Sequence, residues 1–211
     1  MSDLFIEPAR ETVTEAKIQK SRFIAHVCIS TDETRARERI KIISSEHRQA
    51  NHNCWAYRVG TLKREEYFSD DGEPAGTAGK PILGAILRQE MTNVLVVVTR
   101  YFGGIKLGVR GLIEAYGNTA SEGLLASGKI SRRIRTTYEV RMPYDMAKLM
   151  DRLLDSCDTG VEFRTSGYGA DVTVQCAVPL DCVQKVESTL DEWKNARRII
   201  DWERNSGTPG V

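Results

Sequence analysis

Five consecutive apolar residues, Val94 to Val98, constrain this chain more than any other stretch because they leave no polar face. Four are valines, and Asn93 and Thr99 bound the run, so its length and β-branching suit a strand rather than a helix. A strand that is apolar on both sides needs cover on both, which places it at the centre of a sheet with a layer on each face. Two glycine-rich turns flank it in sequence, at 71–80 and 103–111, and each leads into a helical pattern. Helix starts of that kind leave backbone N–H groups pointing outward, towards solvent or a ligand.

The residues ahead of this centre read as a supporting sheet. Residues 11–17 and 22–28 form two short strand patterns broken at Gln19, Lys20 and Ser21, as in an antiparallel pair. Ser30 or Thr31 is the expected cap of a helix running to about His47. Its basic residues alternate with Asp32, Glu33 and Glu38, which fits a solvated face. A hairpin follows, with 52–59 and 65–68 as its strands and a turn at 60–63. His52 and Cys54 share a face of its first strand, with His47 nearby. Two or three such ligands fall short of a closed zinc site, and a hydrogen-bonded histidine beside a buried thiol accounts for the same letters.

The hairpin delivers an acidic loop, Asp70, Asp71 and Glu73, punctuated by Gly72, Pro74, Gly76 and Gly79. Such acids would suit a magnesium ion, or the backbone donors of a tight turn. Thr77 is the expected N-cap of the next helix, with Lys80 and Pro81 in its first turn and Ile82, Leu83, Ile86 and Leu87 towards the core. A Walker loop would need glycine at Pro74 and a hydroxyl at Pro81, so Gly79-Lys80 is not a P-loop. After the central strand, Arg100, Tyr101 and Phe102 lead into a turn carrying Gly103, Gly104, Lys106, Gly108, Arg110 and Gly111, then a helix over 112–126. Aromatic and basic residues beside amide donors suit a phosphate backbone or a stacked base. The alternative is that Tyr101 and Phe102 pack inward and the glycines only permit close helix-on-sheet contact. The two glycine turns are expected to open at one end of the central strand and form a single anion-favouring site.

Composition narrows the function classes. With 30 basic and 29 acidic residues, shared evenly between the halves of the chain, no global field points to nucleic acid or membrane. The start has no signal-peptide pattern, and no apolar run approaches the roughly 18 residues of a membrane span, so a cytoplasmic protein is expected. Five scattered cysteines with no C-x-x-C pair suit reduced thiols. No nucleophile stands in triad spacing with a base, which favours a binding module over an enzyme. No cofactor is expected.

Three stretches together carry a family resemblance: FSDDGEPAGTAGKP from Phe68, RYFGGIKLG from Arg100 and LIEAYG from Leu112. They resemble the signature of the IMPACT/YigZ family, and the match extends along the chain. The resemblance implies an N-terminal α+β domain similar to domain IV of elongation factor G and to a ribosomal-protein domain. It implies a smaller second domain similar to domain V of that factor. Eukaryotic relatives regulate translation by binding the activator of a stress-responsive initiation-factor kinase. RNA, the ribosome or a ribosome-associated protein is therefore the expected partner. The alternative is a phosphate-handling enzyme using Asp70–Glu73 with a divalent metal. Two positions depart from the pattern: Arg110 stands where the family usually has glycine, and Glu114 where it often has a basic residue.

The second half reads as strand 130–142, helix 144–157, strands 161–165 and 170–178, helix 180–194 and strand 197–202. That order, βαββαβ, is the ferredoxin-like split unit. The chain is thus expected to be α+β, with residues 1–128 as the N-terminal domain, 129–204 as a ferredoxin-like domain and 205–211 as a disordered tail. Lys129, Arg132, Arg133 and Arg135 concentrate basic charge at the junction.

Overall fold

The computed structural model describes residues 4–157, 164–166 and 171–205. The chain divides into two compact units, one being Phe5–Ser131 and the other taking Leu4 and the described residues from Arg132 onward. The segment β1 (Leu4–Pro8) pairs with a later strand and has no counterpart in the sequence-based expectation. Then come β2 (Thr12–Ile18), β3 (Ser21–Ile29), α1 (Glu33–Glu46), β4 (His52–Val59) and β5 (Glu65–Ser69). α2 (Gly79–Arg88), β6 (Val94–Tyr101), α3 (Gly108–Ser127) and β7 (Lys129–Arg133), the partner of β1, complete the series.

Five strands form an antiparallel sheet in the order β2-β3-β6-β4-β5, so the valine strand is the middle one. Its alternation feeds two cores. Val94, Val96 and Val98 pack with Ile82 and Ile86 of α2 and Leu112, Tyr116 and Leu124 of α3. Leu95 and Val97 pack on the other face with Ala36 and Ile43 of α1. That double cover is why the strand carries no polar alternation. Because the side-chain period of a strand is two, Arg100 falls on the α2/α3 face and Tyr101 on the α1 face.

Several local expectations shift by a residue or two for identifiable reasons. Asp32, rather than Ser30 or Thr31, caps α1: its carboxylate accepts from the Arg35 N–H at 2.9 Å. α3 starts at Gly108, so Gly108, Arg110 and Gly111 belong to the helix instead of the turn before it. Leu87 is 39% exposed, whereas Ile82 and Ile86 are fully buried, because the stripe that faces the sheet is narrower than the sequence pattern suggested.

The second unit has β8 (Arg135–Pro143), α4 (Ala147–Asp155), β9 (Arg164–Ser166), β10 (Asp171–Pro179), α5 (Val183–Asn195) and β11 (Asp201–Arg204). Its strand order β11-β8-β10-β9, with antiparallel neighbours, is the ferredoxin-like arrangement. The expected single strand over 130–142 breaks into β7 and β8 at Ile134, which is buried. The start of the strand expected from Val161 and the tail from Ser206 lie outside the described residues.

The core assignment separates two neighbouring residues of α2. Ile86→Ala is expected to cost about 2–5 kcal/mol by denaturant unfolding, the range for a buried large-to-small change. Leu87→Ala, at the helix's exposed edge, is expected to cost less than about 1 kcal/mol.

Candidate functional site

The loop between β5 and α2 is built around Asp70. Its Oδ1 accepts from the N–H groups of Ala78 at 2.9 Å and Gly79 at 2.8 Å, and its Oδ2 from Gly76 at 2.8 Å. The carboxylate thus supplies the cap of α2, which has Ala78 at its N-cap position and no cap from that residue's own side chain. Thr77, the expected cap, is buried and spends its hydroxyl on the Pro74 carbonyl at 2.7 Å. A carboxylate eight residues upstream performs the task because the loop folds back on the helix start, which local spacing does not reveal. Burial alone would raise the Asp70 carboxyl, yet the three amide bonds hold it below the usual carboxylate range.

The rest of the loop is latched to β4. Asp71, at φ 43°, accepts the Asn53 N–H on Oδ2 at 2.6 Å. Its carbonyl accepts from His52 Nδ1 at 2.7 Å, and the Asp70 carbonyl accepts from the Cys54 thiol at 2.9 Å. The shared face of His52 and Cys54 is therefore the face that holds the loop. Burial pushes the Cys54 thiol up to about 12, so it stays protonated and can donate.

Glu73 turns inward. Its side chain is 4% exposed, and Oε1 accepts from Arg100 Nη1 at 2.6 Å and the Tyr116 hydroxyl at 2.8 Å. Arg100 reaches it from β6, with its guanidinium 5.5 Å from the Phe23 ring centroid and 5.4 Å from that of Phe102. Each acid of the loop thus has its donors within the fold, and Asp70–Glu73 act together as a structural latch. Gly79 is buried at the helix start, while Lys80 is exposed.

The second glycine turn is treated differently. Gly103 lies against the β2–β3 turn, where an added Cβ would sit 2.0 Å from the Lys20 carbonyl oxygen, so no other residue fits. Its neighbour Gly104 is exposed. At Gly108, φ is 69°, a left-handed value that glycine adopts without strain. The helix that starts there has 20 residues, Leu107 at its N-cap position, no side-chain cap and no acid in its first turn. Arg110 is exposed and pairs with Glu114 at 2.9 Å, so the two positions that depart from the family pattern are partners of one another. Tyr101 points to the other face and shares a hydrogen bond with His47 Nδ1 at 2.9 Å.

A cleft of about 430 Å³ joins these parts, lined by Asn51, His52, Glu73, Pro74, Arg100, Phe102 and the stretch Lys106–Val109 with Leu112. Of the residues singled out in the sequence, Glu73, Arg100, Phe102, Lys106 and Gly108 line it. Asp70, Asp71, Gly76, Thr77, Gly79, Lys80, Tyr101, Gly103, Gly104 and Arg110 do not. The Gly76 and Gly79 amides are spent on Asp70, so among the described residues it is the second turn that brings uncapped helix-start amides to this end of the sheet. Asn51 and Leu107 were not anticipated. His52 is the hydrogen-bonded histidine beside a buried thiol that the sequence allowed, rather than a zinc ligand. The one sequence signal for Asn51 and Leu107 is position, at the strand start and helix start that meet the two motifs.

The comparisons with known proteins agree on one family. Residues 19–124 match the family model described as the Impact N-terminal domain. An IMPACT family member of Haemophilus influenzae is 34% identical over 198 residues, covering 93% of this chain and 95% of its own length. A crystal structure described only as that of a hypothetical protein superposes with a TM-score of 0.69 at 30% identity, over 97% of both chains. Yih1, described as a two-domain translational regulator, is 27% identical over 61% of this chain and 48% of its own, and its TM-score of 0.38 carries no weight for the fold.

The Asp70 cap generates a pH signature. A carboxyl held low in the folded state contributes stability that is present above its ordinary value, near 3.8, and lost as pH falls through the lowered folded value. Asp70→Asn keeps the shape but supplies one carbonyl acceptor in place of two charged oxygens. It is expected to lower stability at pH 7 by about 1.5–3 kcal/mol, the scale of a hydrogen bond to a charged group. The difference between wild type and variant should be full at pH 7 and shrink as the pH falls towards and below 3, and an equal difference at both ends would contradict the assignment.

Proposed function

The chain belongs to the IMPACT family, and from that membership we propose that it is a translation-linked binding protein that contacts RNA through the cleft at its second glycine turn. The observation that carries the RNA reading is the opposite treatment of the two turns. Asp70 neutralises the amides of the first, whereas α3 presents its first-turn amides uncapped beside Lys106. In the cleft wall Glu73 and Arg100 balance one another, so Lys106 and the positive end of a 20-residue helix set the local sign. A polyanion fits that sign, and the exposed Phe102 ring adds a surface for a base. Family membership supports the translation-linked part, and Yih1, described as a translational regulator, falls in the same class.

The chain has a formal net charge of only +1, so few phosphates are neutralised. Titrating a labelled single-stranded RNA at several salt concentrations should give a log–log slope of about −1.4 to −2, corresponding to roughly two or three phosphates. Lys106→Glu should weaken binding about tenfold and leave the melting temperature nearly unchanged, as an exposed substitution does. Salt-independent affinity, or a variant that binds as the wild type does, would contradict the reading. Cosedimentation with ribosomal fractions that survives ribonuclease would assign the contact to a protein instead.

A further inference from the structure

Three side chains on the cleft wall have geometry that the RNA reading alone does not require. Asn51 Oδ1 accepts the Phe102 N–H at 2.8 Å. An N–H needs an acceptor, so the amide orientation is fixed and Nδ2 keeps both of its hydrogens, with no partner among the described residues. His52 Nδ1 lies 2.7 Å from the Asp71 carbonyl oxygen. A carbonyl only accepts, so the proton is on Nδ1 and Nε2 of the neutral ring is a bare acceptor. Nε2 has no hydrogen-bond partner among the described residues; Glu73 Oε1, 4.0 Å away, is an acceptor already serving Arg100 and Tyr116. Beside this donor and acceptor stands Phe102, 45% exposed, with the Arg100 guanidinium against its ring.

Resting on the reading that this cleft meets RNA, we infer that it receives one unpaired nucleotide of a single strand, its base stacked on Phe102 and its polar edge bonded to Asn51 Nδ2 and His52 Nε2. Every base carries a neighbouring donor and acceptor on its Watson–Crick edge, and every base has a face to stack. In a duplex the edge is paired and both faces are stacked, so a paired base offers this wall nothing. An apolar protein side chain in the same cleft would bury Asn51 Nδ2 and His52 Nε2 without partners, at a cost for each. The volume, about 430 Å³, lies within the range of small-ligand sites. The selectivity is therefore for the unpaired state rather than for a sequence.

The test uses the full chain with a mixed-sequence 12-nucleotide RNA, the same strand in a blunt duplex, and the mononucleotides. The single strand is expected to bind at least tenfold more tightly than the duplex. Phe102→Ala should cost about five- to hundredfold for the single strand, the range for one lost base–aromatic stack, and little for the duplex. Phe102→Tyr should restore the wild-type ratio. Asn51→Asp keeps the acceptor for the Phe102 N–H but removes the donor, so it should narrow the ratio of single-strand to duplex affinity. Equal affinity for both forms with Phe102→Ala silent would overturn the inference and leave the RNA reading standing. Mononucleotides binding as tightly as the strand would overturn the strand as ligand. Failure of every RNA form to bind would overturn the RNA reading itself, and the inference with it.

Discussion

The buried pair of Glu73 and Arg100 ties together three of the four segments that line the cleft. Arg100 arrives near the end of β6, on the same face as Val98, and is buried there. Glu73 reaches it from the β5–α2 loop, and Tyr116 of α3 shares the same carboxylate oxygen. Two desolvated charges are costly unless each finds its partner, so either one alone would be strongly unfavourable. Their pairing therefore fixes the loop, the strand end and the helix relative to one another. Asp70 and Asp71 work outward from that anchor, closing the loop onto α2 and β4.

The consequence is a division of labour between two turns that look alike as sequence. Both are rich in glycine and both precede a helix. In the first, the glycines let backbone amides gather around an internal carboxylate, which produces rigidity. In the second, Gly103 allows a close approach to the β2–β3 turn and Gly108 starts α3 with no side-chain cap at its N-cap position. The first turn has its anion built in, whereas the helix of the second has no acid in its first turn.

Much of the fold was legible because its signals are local. The valine run gave the middle strand and its double cover, and βαββαβ gave the ferredoxin-like unit, since both rest on periodicity. The cap of α2 was not legible: Thr77 has the right spacing, while Asp70 wins through a loop closure eight residues long. Arg100 and Tyr101 looked alike as exposed groups near a turn, yet strand alternation sends them to opposite faces, one into an ion pair and one to His47. Asn51 escaped notice because its role depends on a backbone N–H of Phe102, a partner 51 residues away in the chain. The His52/Cys54 pattern was visible, but its purpose required knowing where the Asp70 and Asp71 carbonyls lie.

A double-mutant cycle on the buried pair tests this account most directly. Arg100→Met and Glu73→Gln, singly and together, would be compared by denaturant unfolding at pH 7. Each single change should cost about 3–5 kcal/mol by stranding a buried partner, and the double variant should be less destabilised than the sum by at least about 2 kcal/mol. Costs that add within about 0.5 kcal/mol would show that the two residues do not depend on one another, and the claim that they anchor the cleft would fail.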